Sequence, residues 1–268
     1  MAKVSIIMGA YNCEETLEDS INSILNQTFT DWEFVICDDA STDNTLQVLE
    51  EYKRKYPDKF VILHNEKNLM LAGSLNRCLE YAEGEYIARM DADDIAVNTR
   101  LEKQVRFLDD NPKYSVVGTY MQSFNENGLH EVIPNKAEPT KFDLPKSNAF
   151  HHATIMMRKS AYKELNGYTV SERTRRVEDV DLWFRFFEKG YCGYTLQEPL
   201  YQVRVDSDAY KRRKFKYCVD ASKVLFCGIK RLNLPIKNYI YVLKPIVSYF
   251  TPQKMKDFFR KKYSEEEK

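Results

Sequence analysis

Apolar residues in this chain alternate between two rhythms. "VSIIM" at 4–8, "EFVIC" at 33–37, "FVILH" at 60–64 and "EYIARM" at 85–90 are short runs of strand length, apolar enough to be buried on both faces. Between them apolar positions recur every three or four residues: Leu17, Ile21, Ile24 and Leu25; then Leu46, Leu49 and Tyr52; then Leu71, Leu75, Cys78 and Leu79. Those sets predict helices with one buried face. The turn-rich "DDASTDNT" introduces the second helix, and Gly84 is placed to close the third in a left-handed conformation. The order βαβαβαβ predicts an α/β fold with a mostly parallel central sheet, right-handed crossovers and helices on both faces.

Further along, Leu101, Val105 and Leu108 mark a helix ended by "DDNP", and "SVVGTY" at 115–120 reads as a strand. Residues 122–150 hold three prolines and little periodicity, which predicts a long connection or lid. "HHATIMMRK" at 151–159 reads as a strand and "SAYKELNGY" as a short helix stopped by Gly167. "EDVDLWFRFFEKG" at 178–190 predicts a helix with Trp183, Phe184 and Phe187 inward.

In open parallel sheets ligands gather beyond the carboxyl ends of the strands. Polar motifs stand at three such ends: "GAYN" at 9–12, "DDAS" at 38–41 and "DADD" at 91–94. Asp91, Asp93 and Asp94 repel one another unless a cation lies between them. Asp91 and Asp93, separated by a small alanine, suit Mg²⁺ or Mn²⁺, which take one or two carboxylates and complete their shell with phosphate oxygens and water. The plainer reading of "DADD" is an acidic turn at a helix start. Asp39 is the acid that helix capping leaves over, since Ser41, Thr42 and Asp43 can cap; facing a cleft, it would accept a hydrogen bond from an imide N–H such as that of uracil. Glu178 and Asp179 begin a helix, where an acid is held rigidly and can serve as a general base or simply as a cap. His151 and His152 read first as packing residues, as does Trp183, and Tyr11 gains weight only from its place at a strand end. No glycine-rich dinucleotide or phosphate loop is present.

Composition sharpens this. The 268 residues, 43% of them hydrophobic, suffice for one large or two small packed domains. Lys+Arg and Asp+Glu both number 40, which argues against a general nucleic-acid binder. The balance is uneven, because residues 207–268 hold 16 basic and 6 acidic side chains. We therefore divide the chain at residue 206, with a body at 1–206 (halves near 1–100 and 101–206) and a basic, aromatic-rich helical tail at 207–268. Lysines interleaved with aromatics in "YKRRKFK", "NYIYVLKPIVSYF" and "FFRKKY" suit an anionic membrane surface; the alternative is a helical pair packed on the body. Six cysteines without a C-x-x-C pair read as reduced structural thiols of a cytosolic protein. With no leader and no run of ~18 apolar residues, any membrane contact is expected to be peripheral, at the inner face.

Taken jointly and in this order, "VSIIMGAYN", "SINSILNQTFTDWEFVICDDASTDNT", "AEGEYIARMDADDI", "RLEKQVRFL" and "VEDVDLWFR" resemble glycosyltransferase family 2, over about residues 3–200. The resemblance implies a GT-A fold and an inverting transferase that uses a nucleotide-sugar, usually a UDP-sugar, and a divalent metal ion, Mn²⁺ or Mg²⁺. It places Ala10, Tyr11 and Asp39 at the nucleoside, Asp93 at the metal, and Asp91 near ribose or metal. Asp179 falls at the catalytic base, with Glu178 able to orient it or trade roles. Two departures stand out. Many members carry a glycine after the third strand where this chain has "NLMLAGSLN" with Met70, and many carry a histidine after the last strand where this chain offers only Asp206 and Asp208.

The expected reaction moves a sugar to a hydroxyl of a saccharide acceptor, lipid-linked in cell-surface polysaccharide synthesis. The rivals are a nucleotidyltransferase, which also joins an α/β sheet to metal-binding carboxylates, and a non-catalytic nucleotide-sugar-binding protein.

Overall fold

The four apolar runs become β1 (Val4–Ala10), β2 (Trp32–Asp38), β3 (Phe60–His64) and β4 (Tyr86–Arg89), which pair in parallel in the order β3-β2-β1-β4. The crossovers are α1 (Glu14–Leu25), α2 (Thr45–Lys55) and α3 (Met70–Tyr81). This computed structural model describes residues 2–205 and 214–251. Alternate strand residues enter opposite cores: Val35 and Cys37 face α3, whereas Trp32, Phe34 and Ile36 join Leu17, Ile21 and Leu49. Burial on both faces is what the continuous apolar runs require.

The second half adds antiparallel pairing. After β5 (Ile95–Ala96) and α4 (Arg100–Asp110) come β6 (Tyr114–Asn125), β7 (Gly128–Ile133), β8 (Met156–Arg158), α5 (Lys159–Glu164), α6 (Glu178–Glu188) and β9 (Cys192–Arg204). Strand β8 inserts antiparallel between β4 and β6, and the sheet continues through β9 to β5. Last come α7 (Phe215–Arg231), a 3-10 segment (Ile236–Leu243) and α8 (Lys244–Phe250). Helix α7 packs on α6 through Leu225, Ile229 and Gly228; a Cβ on Gly228 would lie 2.3 Å from the Phe184 ring.

Three expectations need correction. Gly84 does not close α3 in a left-handed conformation: the helix ends at Tyr81, and Gly84 is instead pressed against β1, where a Cβ would stand 2.5 Å from the Ser5 nitrogen. Gly167, at φ +62, does adopt that conformation. The front of the 122–150 connection is a β-hairpin, β6 to β7, whose almost wholly exposed second strand carries no period-2 apolar pattern to betray it. The stretch 151–159 opens with a 3-10 turn, His152–Thr154, before the short β8. In α6, Phe187 does turn inward, packed half-buried on the core, and Phe186 beside it is fully buried.

All six cysteines are free, and burial pushes the Cys13 and Cys37 thiols up to about 11, which keeps them unreactive. Among the described residues no helix is long and apolar enough to cross a membrane.

Candidate active site

Three cavities adjoin beyond the carboxyl ends of β1, β2 and β4. The first, about 630 Å³, is lined by Arg89, Asp91, His152, Glu178 and Asp179. The second, about 400 Å³, holds Gly9, Ala10, Tyr11 and Asp39. The third, about 710 Å³, holds Tyr11, Asn12, Asp91, Asp93 and Arg204. They share walls: Met70 and Arg176 belong to the first two, Gly9 and Tyr11 to the last two, and Asp91 to the first and third. The acidic residues singled out from three distant stretches thus open onto one connected cleft.

Each is held by its own local structure. Asp39 follows β2 and is buried; its backbone N–H donates to the Ala10 carbonyl, while its Oδ1 accepts from Asn65 Nδ2 and the Leu69 N–H, both at 2.7 Å. Asp43 instead closes the turn that leads into α2, its Oδ1 accepting from the Thr45 N–H at 3.0 Å. Asp38 lies beneath, fully buried, accepting from Ser41 N–H and 2.8 Å from His64 Nδ1.

The turn 91–94 is clamped by the end of β9. The Tyr201 hydroxyl accepts the Asp91 N–H, the Arg204 N–H donates to Asp94 Oδ1 at 2.9 Å, and Arg204 Nε donates to the Asp93 carbonyl at 2.9 Å. Asp94 is buried, a structural acid, and Asp93 is exposed. Burial pushes the Asp94 carboxyl well above the usual carboxylate range, reinforced by the negative charges of Asp91 and Asp93. Arg89 meets part of the cluster's charge, its Nη1 donating to Asp91 Oδ1 at 2.5 Å.

The donor set decides whether a metal ion fits. Two carboxylates on one turn, both reaching the cleft, are hard oxygen donors suited to Mg²⁺ or Mn²⁺. Among the described residues no group of three His, Cys, Asp or Glu side chains is arranged to hold a metal alone. The residues fit a two-carboxylate site completed by phosphate and water. Asp206 and Asp208 lie outside the described residues.

Asp179 and Glu178 sit in the first turn of α6, and Asp179 Oδ1 accepts the Val180 N–H at 2.8 Å. Burial pushes both carboxyls up, Glu178 also through the charge of Asp179, while the positive charge of Arg89 holds both down. His152 shares their cavity. Its Nε2 meets the Tyr168 hydroxyl at 2.9 Å, its Nδ1 has no partner, and burial together with Arg89 depresses its pKa well below the ordinary value. His151 is structural, with Nε2 set against the Ile133 and Pro134 carbonyls. Trp183 is a fully buried core residue, as its helical position suggests, whereas Tyr11 is half exposed at the cleft.

Two cleft residues escape sequence reasoning. Arg89, inside a strand's apolar run, is a buried guanidinium at the cleft floor; Arg204 belongs to β9. A second signal is backbone strain. Of six non-glycine residues with positive φ among the described residues, Asn12, Met70 and Arg176 line the cleft and Ala40 follows Asp39. Met70, at φ +63, holds a backbone conformation that glycine adopts without cost, which gives the departure after β3 a physical meaning.

The family model for glycosyl transferase family 2 matches residues 5–165. A protein of Bacillus subtilis (strain 168), EpsE, named as a glycosyltransferase, is 50% identical over 262 residues, covering 97% of this chain and 94% of its own. The chain belongs to glycosyltransferase family 2. This glycosyltransferase is also 36% identical over 224 residues to Escherichia coli WfgD, a UDP-Glc:alpha-D-GlcNAc-diphosphoundecaprenol beta-1,3-glucosyltransferase, covering 81% of this chain and 84% of that one. Among solved structures, the Pyrobaculum calidifontis mannosyltransferase PcManGT, in complex with GDP-Man and Mn²⁺, superposes with a TM-score of 0.68 at 16% identity, covering 98% of this chain and 80% of that one. At that identity the likeness speaks for the fold, GT-A. Family membership sets aside the nucleotidyltransferase and non-catalytic readings: the glycosyltransferase is an enzyme.

Proposed function

We propose that the enzyme inverts configuration as it moves a sugar from a UDP-sugar to a hydroxyl of a lipid-linked saccharide, at the cytoplasmic membrane face, in bacterial cell-surface polysaccharide synthesis. One observation carries the reading: Asp91 lines both the cavity of Asp179 and that of Asp93, so a base and a pair of metal-type carboxylates flank one space.

The nucleoside would lie in the second cavity, with Tyr11 and Ala10 beside it and Asp39 accepting the imide N–H of uracil. Two hydrogen bonds already fix Asp39, so its orientation precedes binding. Asp93 and Asp91 would hold Mn²⁺ or Mg²⁺. When bound, the ion supplies Lewis-acid neutralisation of the diphosphate. Asp179 takes the proton of the acceptor hydroxyl, whose oxygen attacks the anomeric carbon opposite the departing nucleoside diphosphate. Burial raises the proton affinity of Asp179 and so strengthens it as a base, while the positive charge of Arg89 opposes that rise. Glu178 would orient Asp179 or trade roles with it. Residues 1–206 form the catalytic unit in this reading and 207–268 its helical extension.

The names of relatives bear on the substrates: WfgD is named for a UDP-glucose donor and a diphosphoundecaprenol-linked acceptor. The test is a panel of UDP- and GDP-sugars with Mn²⁺ and a short GlcNAc-diphospho-lipid acceptor, with product configuration read by NMR. An inverted product from a UDP-sugar alone is expected; a retained configuration, or transfer from GDP-sugars only, would overturn the assignment.

A further inference from the structure

A stripe of large apolar side chains at the carboxyl end faces solvent. Ile236 is 88% exposed, Ile240 70%, Val247 60% and Phe250 70%, with Leu243 between them. Their chain neighbours turn the other way: Tyr239 and Val242 pack on the core and Asn238 is buried. The same segment is basic: residues 214–251 contain seven Lys or Arg and one Asp, and although Lys216, Lys223 and Arg231 pair with Glu172, Asp220 and Glu188, the segment keeps an excess of positive charge.

This stripe runs to the mouth of the cleft. Phe215 at the start of α7 contacts the Tyr249 and Phe250 rings. The adjoining Lys216 pairs with Glu172, and Tyr217 lies under the Arg176 guanidinium. Glu172 and Arg176 both line the cavity that contains Asp179.

We propose that this face docks on an anionic lipid surface, with Ile236, Ile240, Leu243, Val247 and Phe250 entering the headgroup layer and Lys214 and Lys237 held by lipid phosphates. The proposal rests on the lipid-linked acceptor read above and adds how that acceptor is reached: the cleft mouth sits at the depth where a membrane-embedded lipid presents its sugar. Charge selects this occupant. A second copy of the chain would bring two surfaces of like charge together, whereas an anionic bilayer supplies both the apolar sink and the opposite charge.

The test uses the full chain and vesicles of phosphatidylcholine, with or without phosphatidylglycerol, in a co-sedimentation assay. Binding is expected only with phosphatidylglycerol and should weaken as salt rises. The triple variant Ile236→Asp, Ile240→Asp, Val247→Asp should lose binding, and the double variant Lys214→Gln, Lys237→Gln should lower it on the order of tenfold or more. Both variants should retain transfer to a short, water-soluble acceptor and lose it toward a full-length lipid acceptor in vesicles. Equal binding to neutral vesicles, undiminished binding by the aspartate variant, or a wild-type dimer that the aspartate variant abolishes would overturn the proposal. Vesicle binding with no sugar transfer to any acceptor would count against the assigned reaction and leave this surface standing.

Discussion

Arg89, a guanidinium only 2% exposed, donates through Nη1 to Oδ1 of Asp91 at 2.5 Å, joining the base end of the cleft to its acidic turn. The same cation lowers the proton affinity of Glu178, Asp179 and His152. A buried charge of this kind is costly unless paired, so its place here is a matter of electrostatic setting more than of stability.

Arg89→Met should therefore move the acid limb of the pH–rate profile to higher pH, because Asp179 without that cation holds its proton more tightly. Arg89→Lys should restore part of the shift. A profile unchanged in Arg89→Met would remove Arg89 from this role.

Asp179→Asn should leave nucleotide binding near the wild-type value and slow transfer by roughly 10²–10⁴-fold, the usual worth of a positioned general base. In the wild type, activity should fall with decreasing pH at a point above the ordinary aspartate value, since burial raises Asp179. Steady-state rates with a soluble acceptor, beside calorimetric binding of UDP, separate the two effects.

Asp93→Asn should weaken Mn²⁺-dependent binding of UDP by on the order of tenfold or more, with far less effect on metal-free binding. Titration of UDP with and without Mn²⁺ measures the difference, and equal losses in both would argue against a metal role for Asp93.

His152 gives a stability prediction. Its folded pKa is depressed well below 6.5, so the unfolded chain takes up the proton first as pH falls. The stability present above about pH 6.5 should decline as pH drops from there toward 5. Thermal melts of His152→Gln should show a shallower decline over the same window.

Gly84→Ala should destabilise the fold by about 1–3 kcal/mol, because the added Cβ meets the backbone of β1 at 2.5 Å with nothing flexible to yield. Gly128→Ala, with open space around its Cβ, should lose only what its positive φ demands. Paired denaturant titrations of the two variants decide between steric approach and backbone conformation.

The sequence by itself determined the sheet's first half and the location of its chemistry. Runs such as "EFVIC" are buried on both faces only in a parallel sheet covered by helices, and the acidic motifs follow such runs directly. Joint spacing of those motifs also identified the family. Tertiary structure alone decided what surrounds them: that buried Arg89 shares a cavity with the acids of α6, that β9 clamps the 91–94 turn, that Gly84 answers to β1, and that Met70 takes a glycine-like backbone. Periodicity reports which side of its own element a residue occupies. Contacts such as Arg204 to Asp94 join residues 110 positions apart, and no pattern within either stretch encodes the packing that brings them together.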